Sequence, residues 1–185
     1  VGYLAIPSTN ELWAYHLNTD SWTQRSDLPD IEYQSPVFTF NESAYFLSGN
    51  EVWKYDATSN QFSRMGDSPG ESKRAAFAFV INDKVYVGGG YFNKTAFWEY
   101  IPHEDAWNVL SELPPLQYVD NNDGENYPTF AFASVIGNKA YLGGTNMYFW
   151  EYEPETSIWR RVEGFNSMTY GTSFKLDDKG AYYYV

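Results

Sequence analysis

Hydrophobic and polar residues alternate in short runs along the chain, and the runs come in pairs. Residues 37–48 read Val-Phe-Thr-Phe, then Asn-Glu, then Ser-Ala-Tyr-Phe-Leu-Ser. Short runs rich in β-branched and aromatic residues, joined by an Asn, Asp or Gly pair that tolerates positive φ, predict a β-hairpin. The same arrangement recurs at residues 76–89, 131–144 and 173–185. No segment of useful length has the 3.6-residue period of an amphipathic helix, so we expect almost no helix.

A second pattern follows each expected hairpin strand. An aromatic residue, any residue and a Tyr are followed, seven positions after the Tyr, by another aromatic residue. The four copies are Trp13/Tyr15/Trp22, Trp53/Tyr55/Phe62, Trp98/Tyr100/Trp107 and Trp150/Tyr152/Trp159. The internal spacing is constant, whereas the distance between copies grows from 40 to 45 to 52 residues. A constant unit separated by loops of variable length indicates a stacked repeat architecture, with four antiparallel strands, A to D, in each unit.

Units of this length, with Gly-Gly after the second strand and Trp in the third, resemble the kelch repeat. The resemblance rests on Tyr86-Val87-Gly88-Gly89 and Tyr141-Leu142-Gly143-Gly144, each followed by Trp-Glu-Tyr, and it covers nearly the whole chain. In the second copy Ser48-Gly49 replaces the Gly pair, and the first copy keeps only Val1-Gly2 of its second strand. The resemblance implies an all-β fold, a kelch-type β-propeller with four repeats visible. We attribute the Gly pair to converging blades that leave no room for a Cβ.

The domain organisation follows from the repeats. We expect residues 1–185 to form a single propeller domain or part of one, with blade units at about 1–30, 35–70, 74–115, 129–166 and 172–185, the first and last partial. Kelch propellers usually have six or seven blades, so the resemblance implies part of such a ring, with Val1-Gly2-Tyr3-Leu4 as the end of a strand cut inside a domain. An alternative stays open, in which the two ends pair and close a four-bladed ring. Unclosed blades would expose a hydrophobic face and a sheet edge, which favour aggregation.

Composition narrows the classes of partner. Aromatic residues make up 20% of the chain, enough to build a core of rings packed between sheets. The formal charge of −12 repels phosphate backbones, so we expect no nucleic-acid partner. No apolar run approaches 18 residues, which argues against membrane insertion. The absence of cysteine excludes a disulfide framework and a thiolate metal site.

Candidate binding residues lie in the loops from strand D to strand A and from strand B to strand C, which share one face of a propeller. The longest of these loops is 114–129. Exposed aromatic rings with carboxylates and amides suit sugars, the same mixture suits peptides, and an ordinary solvated loop is a third reading. The candidates are Tyr33, Arg74, Tyr91, Asn93, Asp120, Asp123, Glu125, Tyr127 and Tyr148.

Two features of these loops suggest more specific ligands, and the sequence argues against both. Arg74 precedes strand A of its repeat, where kelch repeats often place an Arg, but Ser35, Thr129 and Thr172 stand near the other A strands, so no ring of Arg favours an anionic ligand. The acidic run from Asp120 to Glu125 resembles a calcium loop, yet Gly falls at position five and breaks the EF-hand register. We therefore expect neither a metal nor another cofactor.

Catalytic motifs are not evident in the chain. His16 and His103 have no nucleophile at recognisable spacing, and the chain contains no HExxH, no P-loop and no GxGxxG that opens a helix. Galactose oxidase, a kelch-like enzyme, needs a Cys-linked Tyr and copper, and a chain without cysteine cannot supply that site. Kelch-type sialic acid epimerases would use carboxylates in the channel, and no specific residue of this sequence supports that activity. We expect a non-catalytic scaffold that recognises a protein or peptide, with carbohydrate binding second and a sugar-modifying enzyme third. The repeats are similar to those of bacterial kelch proteins exported to the periplasm or cell surface, which is the location the resemblance implies, and a cytoplasmic origin stays open.

Overall fold

The computed structural model describes the backbone of residues 1–115, 129–145, 147–163, 171–176 and 179–184, and the side chains of 1–115, 132–144 and 147–163. Within these ranges the secondary structure consists of seventeen β-strands and one short 3₁₀ turn, Pro7–Thr9, and none of it is α-helix. The expectation of an all-β chain is confirmed.

The strands form five antiparallel sheets in chain order, which we call blades 1 to 5. Blade 1 contains β1 (Gly2–Ile6), β2 (Glu11–His16) and β3 (Ser21–Gln24); blade 2 contains β4 (Val37–Phe40), β5 (Ser43–Ser48), β6 (Glu51–Asp56) and β7 (Gln61–Asp67). Blade 3 contains β8 (Phe77–Ile81), β9 (Lys84–Gly88), β10 (Phe97–Ile101) and β11 (Ala106–Val109). Blade 4 contains β12 (Thr129–Ile136), β13 (Lys139–Thr145), β14 (Trp150–Glu153) and β15 (Ile158–Arg161), and blade 5 contains β16 (Gly171–Leu176) and β17 (Lys179–Tyr184).

The hairpins between strands A and B have the predicted turn chemistry. In blade 2, Asn41 and Glu42 have φ values of 45° and 60°, and in blade 3 Asn82 and Asp83 have φ values of 51° and 60°. Two consecutive residues at positive φ define the type I′ turn, whose twist matches that of the strands it joins. The pairing register places the residues on either side of each turn opposite one another, so these hairpins are confirmed.

The constant seven-residue spacing is explained by the turn between strands C and D. In blade 3, Tyr100 lies directly opposite Trp107, and their ring centroids are 4.6 Å apart. Asp105 takes a positive φ of 50° at the end of the turn, and its Oδ1 accepts a hydrogen bond of 2.8 Å from the Tyr100 hydroxyl. A spacing one residue longer or shorter would move the second aromatic residue to the other face of the sheet.

The hydrophobic core lies between the blades rather than within them. One cluster joins blades 1 and 2 through Leu12 and Tyr55, a second joins blades 2 and 3 through Tyr45 and Tyr100, and a third joins blades 3 and 4 through residues that include Tyr152. In each case the aromatic face of one blade packs on the blade before it in the chain. Radial stacking of small sheets through large rings is the arrangement of a β-propeller.

The first blade differs from its expected boundary. Strand β1 runs from Gly2 to Ile6 and pairs with β2 along its length, so the second strand of the first copy is longer than Val1-Gly2. Because β2 pairs with β1 on one side and with β3 on the other, it offers no free edge to β17. The partial ring and the alternative in which the two ends pair both stay predictions.

The reason for the glycine at the end of strand B also differs from the expectation. A Cβ on Gly88 would lie 2.8 Å from Phe77 Cζ and 3.0 Å from Phe97 Cδ2, and both rings belong to the same blade as Gly88. On Gly143 a Cβ would lie 2.7 Å from Phe132 Cζ. The space is taken by rings of strands A and C that close over the glycine, and not by the convergence of separate blades.

In the part of the chain that the structure describes, no helix has the length and apolar character needed to cross a membrane.

Candidate functional site

Three loops from neighbouring blades meet around Arg74. Tyr33 lies in the loop between β3 and β4, Arg74 in the loop between β7 and β8, and Tyr91 in the loop between β9 and β10. The guanidinium carbon of Arg74 is 5.9 Å from the ring centroid of Tyr33 and 5.4 Å from that of Tyr91. We call these three side chains the Tyr–Arg–Tyr cluster. The expectation that loops D–A and B–C share one face holds for these three loops.

The guanidinium of Arg74 is held in place as well as stacked. Its Nε donates a hydrogen bond of 3.2 Å to Gln34 Oε1, and the backbone N–H of Tyr91 donates to the Arg74 carbonyl at 3.2 Å. A guanidinium over an aromatic face gains about 0.5–1 kcal/mol at an exposed site. Arg74 is exposed, and so is Tyr33, with 70% of its surface accessible. The cluster is therefore an ordered cation between two rings, open to solvent.

Asn93 lies beside the cluster and contacts the Arg74 loop through its side-chain amide. Its Oδ1 accepts a hydrogen bond from the Glu71 N–H at 3.1 Å, and its Nδ2 donates to the carbonyls of Glu71 at 3.2 Å and Ser72 at 2.8 Å. These bonds occupy both ends of the amide. In this conformation Asn93 fastens one loop to the next, a role that loop composition alone does not reveal.

Lys73 is a buried cation that the sequence reasoning missed. Its side chain has no accessible surface, its Nζ donates to the carbonyls of Pro69 and Glu71, and the ammonium lies 4.6 Å from the ring centroid of Trp98. Burial lowers the pKa of Lys73 to about 8. A lysine between Ser and Arg in a polar loop has the composition of a solvated segment, so no signal in the sequence marks it as buried.

The remaining candidates divide between blade 4 and the part of the chain without a described structure. The guanidinium carbon of Arg161 lies 3.5 Å from the ring centroid of Tyr148. Tyr148 is partly buried in the loop that precedes β14. Asp120, Asp123, Glu125 and Tyr127 lie outside the described residues. The binding hypothesis for these four residues stays a prediction.

Two buried carboxylates were also missed by the sequence reasoning. Glu99 is 7% exposed and accepts hydrogen bonds from Lys84 Nζ at 2.9 Å and Asn108 Nδ2 at 3.1 Å. Glu151 repeats the arrangement in blade 4 with Lys139 and Arg160 as donors. Burial raises the pKa of Glu151, but hydrogen bonds from Lys139, Tyr141 and Arg160 outweigh it, so the net pKa is below its ordinary value. Comparing copies would have found this pair, because a Lys opens strand B in the same two repeats that carry Glu between Trp and Tyr.

The inner strands line an apolar depression of about 350 Å³. Strand A of blades 2, 3 and 4 contributes the lining, which consists of Val37, Phe38, Thr39, Ala78, Phe79, Val80, Ala133 and Val135. None of these side chains is ionisable, so this wall offers no general acid or base. Among the residues whose side chains are described, no group of three His, Asp or Glu is placed to hold a metal ion.

Comparison with known proteins identifies the class of protein. The fold is similar to that of the solved structure of YjhT, with a TM-score of 0.73 over 93% of this chain and 65% of that chain, at 15% sequence identity. Together with the repeats and the blade topology, this likeness shows that the fold is that of a kelch-type β-propeller.

Curated relatives come from Kelch-like proteins. The chain is 29% identical to Kelch-like protein 21 of Bos taurus over 122 residues, which is 62% of this chain and 20% of that protein. It is 22% identical to Kelch-like protein 23 of Homo sapiens over 172 residues, which is 85% of this chain and 28% of that protein. The chain thus spans between a fifth and about a quarter of the length of these relatives. No family model matches the chain.

Proposed function

We propose that the chain is a non-catalytic binding scaffold that recognises a protein or peptide through the loop face around Arg74. The observation that carries the proposal is the Tyr–Arg–Tyr cluster, which is assembled from three separate loops. Tyr and Arg are, with Trp, the residues enriched among side chains that dominate binding energy at protein interfaces. The likeness to Kelch-like proteins supports a scaffold of this kind.

The order of the cluster favours binding because it reduces the entropy cost. Arg74 is stacked between two rings and bonded to Gln34 before any partner arrives. A side chain that is already ordered loses less conformational freedom on binding than a free one. The planar guanidinium can then use its two terminal nitrogens to donate hydrogen bonds to a carbonyl or carboxylate of the partner.

Carbohydrate binding is the second candidate, and the same rings bear on it. A sugar stacks on an aromatic ring through its C–H surface and needs an open ring face. Arg74 lies over one face of Tyr33 and one face of Tyr91, so those faces are occupied. A sugar could therefore stack only on the opposite face of each ring, whereas the exposed guanidinium of Arg74 is available to a peptide. The lining of the inner strands has no ionisable side chain, and this gives a sugar-modifying enzyme the least support.

A random-peptide display library and a glycan array test the proposal. We expect the library to yield peptides whose affinity falls at least about tenfold when Arg74→Ala removes the stacked cation, a change of about 1.4 kcal/mol. Arg64→Ala is the matched control, because Arg64 is also exposed but lies on β7 in contact with Glu51 and Asp67. Equal losses in the two variants, or glycan hits abolished by Tyr91→Ala without any selected peptide, would overturn the proposal.

A further inference from the structure

Lys73 occupies an unusual position for a lysine. It directly precedes Arg74 in the loop between β7 and β8, yet its side chain is fully buried. A buried ammonium is costly unless it is paired or hydrogen-bonded. In the described part of the chain no carboxylate lies within ion-pair distance of Lys73 Nζ, and the charge is held instead by the carbonyls of Pro69 and Glu71 and by the face of Trp98.

The loop around Lys73 is built to close on it. Gly70 has a φ of +77°, and a Cβ there would lie 2.6 Å from Asn93 Oδ1 and 3.2 Å from Trp98 Cζ2. The backbone N–H of Lys73 donates to the carbonyl of Gly49 at 2.9 Å. The loop therefore wraps the ammonium tightly and has a backbone shape that most residues at position 70 would not permit.

We propose that Lys73 is a positioning residue of the binding site, whose buried ammonium fixes the loop so that Arg74 stacks between Tyr33 and Tyr91. This inference rests on the proposed function for its meaning, but the loop geometry carries it. Lys73 ties Pro69 and Glu71 together from inside the loop. The next residue then enters the cluster, with its own carbonyl bonded to the N–H of Tyr91.

A change in the protonation state of Lys73 should test this positioning role. Because burial lowers its pKa to about 8, Lys73 loses its charge at a pH at which exposed lysines keep theirs. The surrounding loops carry other charged side chains, among them Asp30, Glu71, Arg74, Lys94 and Glu32, and Glu32 accepts a hydrogen bond from Ser72 Oγ. Loss of the proton removes the cation–π contact with Trp98 and weakens both bonds to carbonyls.

Global stability and loop order should respond to pH in opposite directions. Between the folded pKa of about 8 and the ordinary pKa of 10.5, the unfolded chain binds more protons at Lys73 than the folded chain. The contribution of Lys73 to global stability therefore rises as the pH increases through this range. The loop, in contrast, loses its central cation over the same range, so a local effect is distinguishable from general unfolding.

The first test measures affinity for a peptide selected on the wild-type protein, chosen without Lys, His, Cys or Tyr and with a blocked N-terminus. From pH 7 to pH 9.5 we expect the wild-type affinity to fall about fivefold, the size of one cation–π contact. Lys73→Met should bind more weakly by about the same factor at every pH. Lys73→Arg, which keeps its charge, should show no pH dependence. A flat wild-type profile would overturn the inference.

The second test needs no ligand. Amide hydrogen exchange, corrected for the intrinsic effect of pH, reports on the N–H of Ala75, bonded to the Gln34 carbonyl, and on the N–H of Tyr91. In Lys73→Met both should exchange about tenfold faster, while the N–H of Leu47, bonded to Pro36, serves as an unchanged reference. Lys84→Met, which removes a lysine on β9 bonded to Glu99, is the control variant. Unchanged exchange overturns the inference; faster exchange without any selected peptide overturns only the proposed function.

Discussion

At the scale of single residues, tight contacts rather than unusual backbone shape explain why a glycine ends strand B. Gly88 has no positive φ, so an alanine could adopt its backbone conformation. The obstacle is the space above it, which the rings of Phe77 and Phe97 fill. Both rings are almost completely buried and belong to the cluster between blades 3 and 4. A methyl group at Gly88 would therefore displace rings that belong to the core between the blades.

Replacing this glycine should destabilise the protein. Gly88→Ala should lower the free energy of unfolding by about 2–3 kcal/mol, because two packed rings must move to admit the methyl group. Gly2→Ala is the matched control on strand B of blade 1, where the nearest atom to a new Cβ is Tyr15 Cβ at 3.9 Å. That variant should change the free energy by no more than about 0.5 kcal/mol. Urea denaturation measures both, and similar losses would contradict the packing explanation.

At the scale of the secondary-structure element, the turn between strands C and D joins successive blades. Asp105 accepts the Tyr100 hydroxyl through Oδ1, and through Oδ2 it accepts the backbone N–H of Gly66, at 2.6 Å, from the preceding blade. Asn60 does the same in blade 2, where its Oδ1 accepts from the Tyr55 hydroxyl and from the N–H of Ser26. One side chain thus completes its own turn and binds the end of the previous sheet.

Because of its hydrogen bond to the preceding blade, we expect Asp105 to contribute more to stability than Asp20, its counterpart in blade 1. Asp105→Ala should lower the free energy of unfolding by about 2–3 kcal/mol, because the Tyr100 hydroxyl and the Gly66 N–H lose their acceptor. Asp20→Ala removes the same bond to a tyrosine, Tyr15, but this bond is exposed and should be worth about 0.5 kcal/mol. Thermal and urea unfolding of the pair check the difference. A cost for Asp20→Ala equal to that for Asp105→Ala would show that the contact between blades contributes nothing.

At the scale of the whole molecule, the aromatic face of blade 1 is the one with no described blade before it. Tyr55, Tyr100 and Tyr152 are each no more than 2% exposed because they pack on the preceding blade. In blade 1, Trp22 is 52% exposed and Leu4 is 48% exposed on the face they share with Tyr15. A contiguous apolar surface of this kind favours association in water.

The 185 residues by themselves should therefore associate through this face. We expect sedimentation velocity to show a larger mean species as the concentration rises, and Trp22→Lys to reduce that increase, because it places a charge in the centre of the apolar surface. Leu17→Lys is the control, since Leu17 is 72% exposed but lies in the turn after β2 and not on a strand of this face. An increase that both variants reduce equally would point to another surface.

The parts of the fold that the sequence predicted are those set by local interactions. A type I′ turn at Asn82 and Asp83 and a seven-residue interval between Tyr100 and Trp107 each specify a register without reference to the rest of the chain. Repetition of both patterns predicted a stacked repeat architecture, and its resemblance to the kelch repeat implied a propeller. For the candidate site, the sequence predicted which loops would be neighbours, and the structure brings Tyr33, Arg74 and Tyr91 together.

The tertiary structure alone decided how the side chains of those loops are used. Lys73 is buried, and Asn93 bonds to a neighbouring backbone, because loops of different blades meet at distances that no local pattern encodes. The same holds for Gly88, whose neighbours are rings 11 and 9 residues away on other strands of its blade. Strand order and register come from periodicity and turns, which are properties of short segments. Burial and hydrogen-bond partners come from which segments meet, and that depends on the packing of the blades.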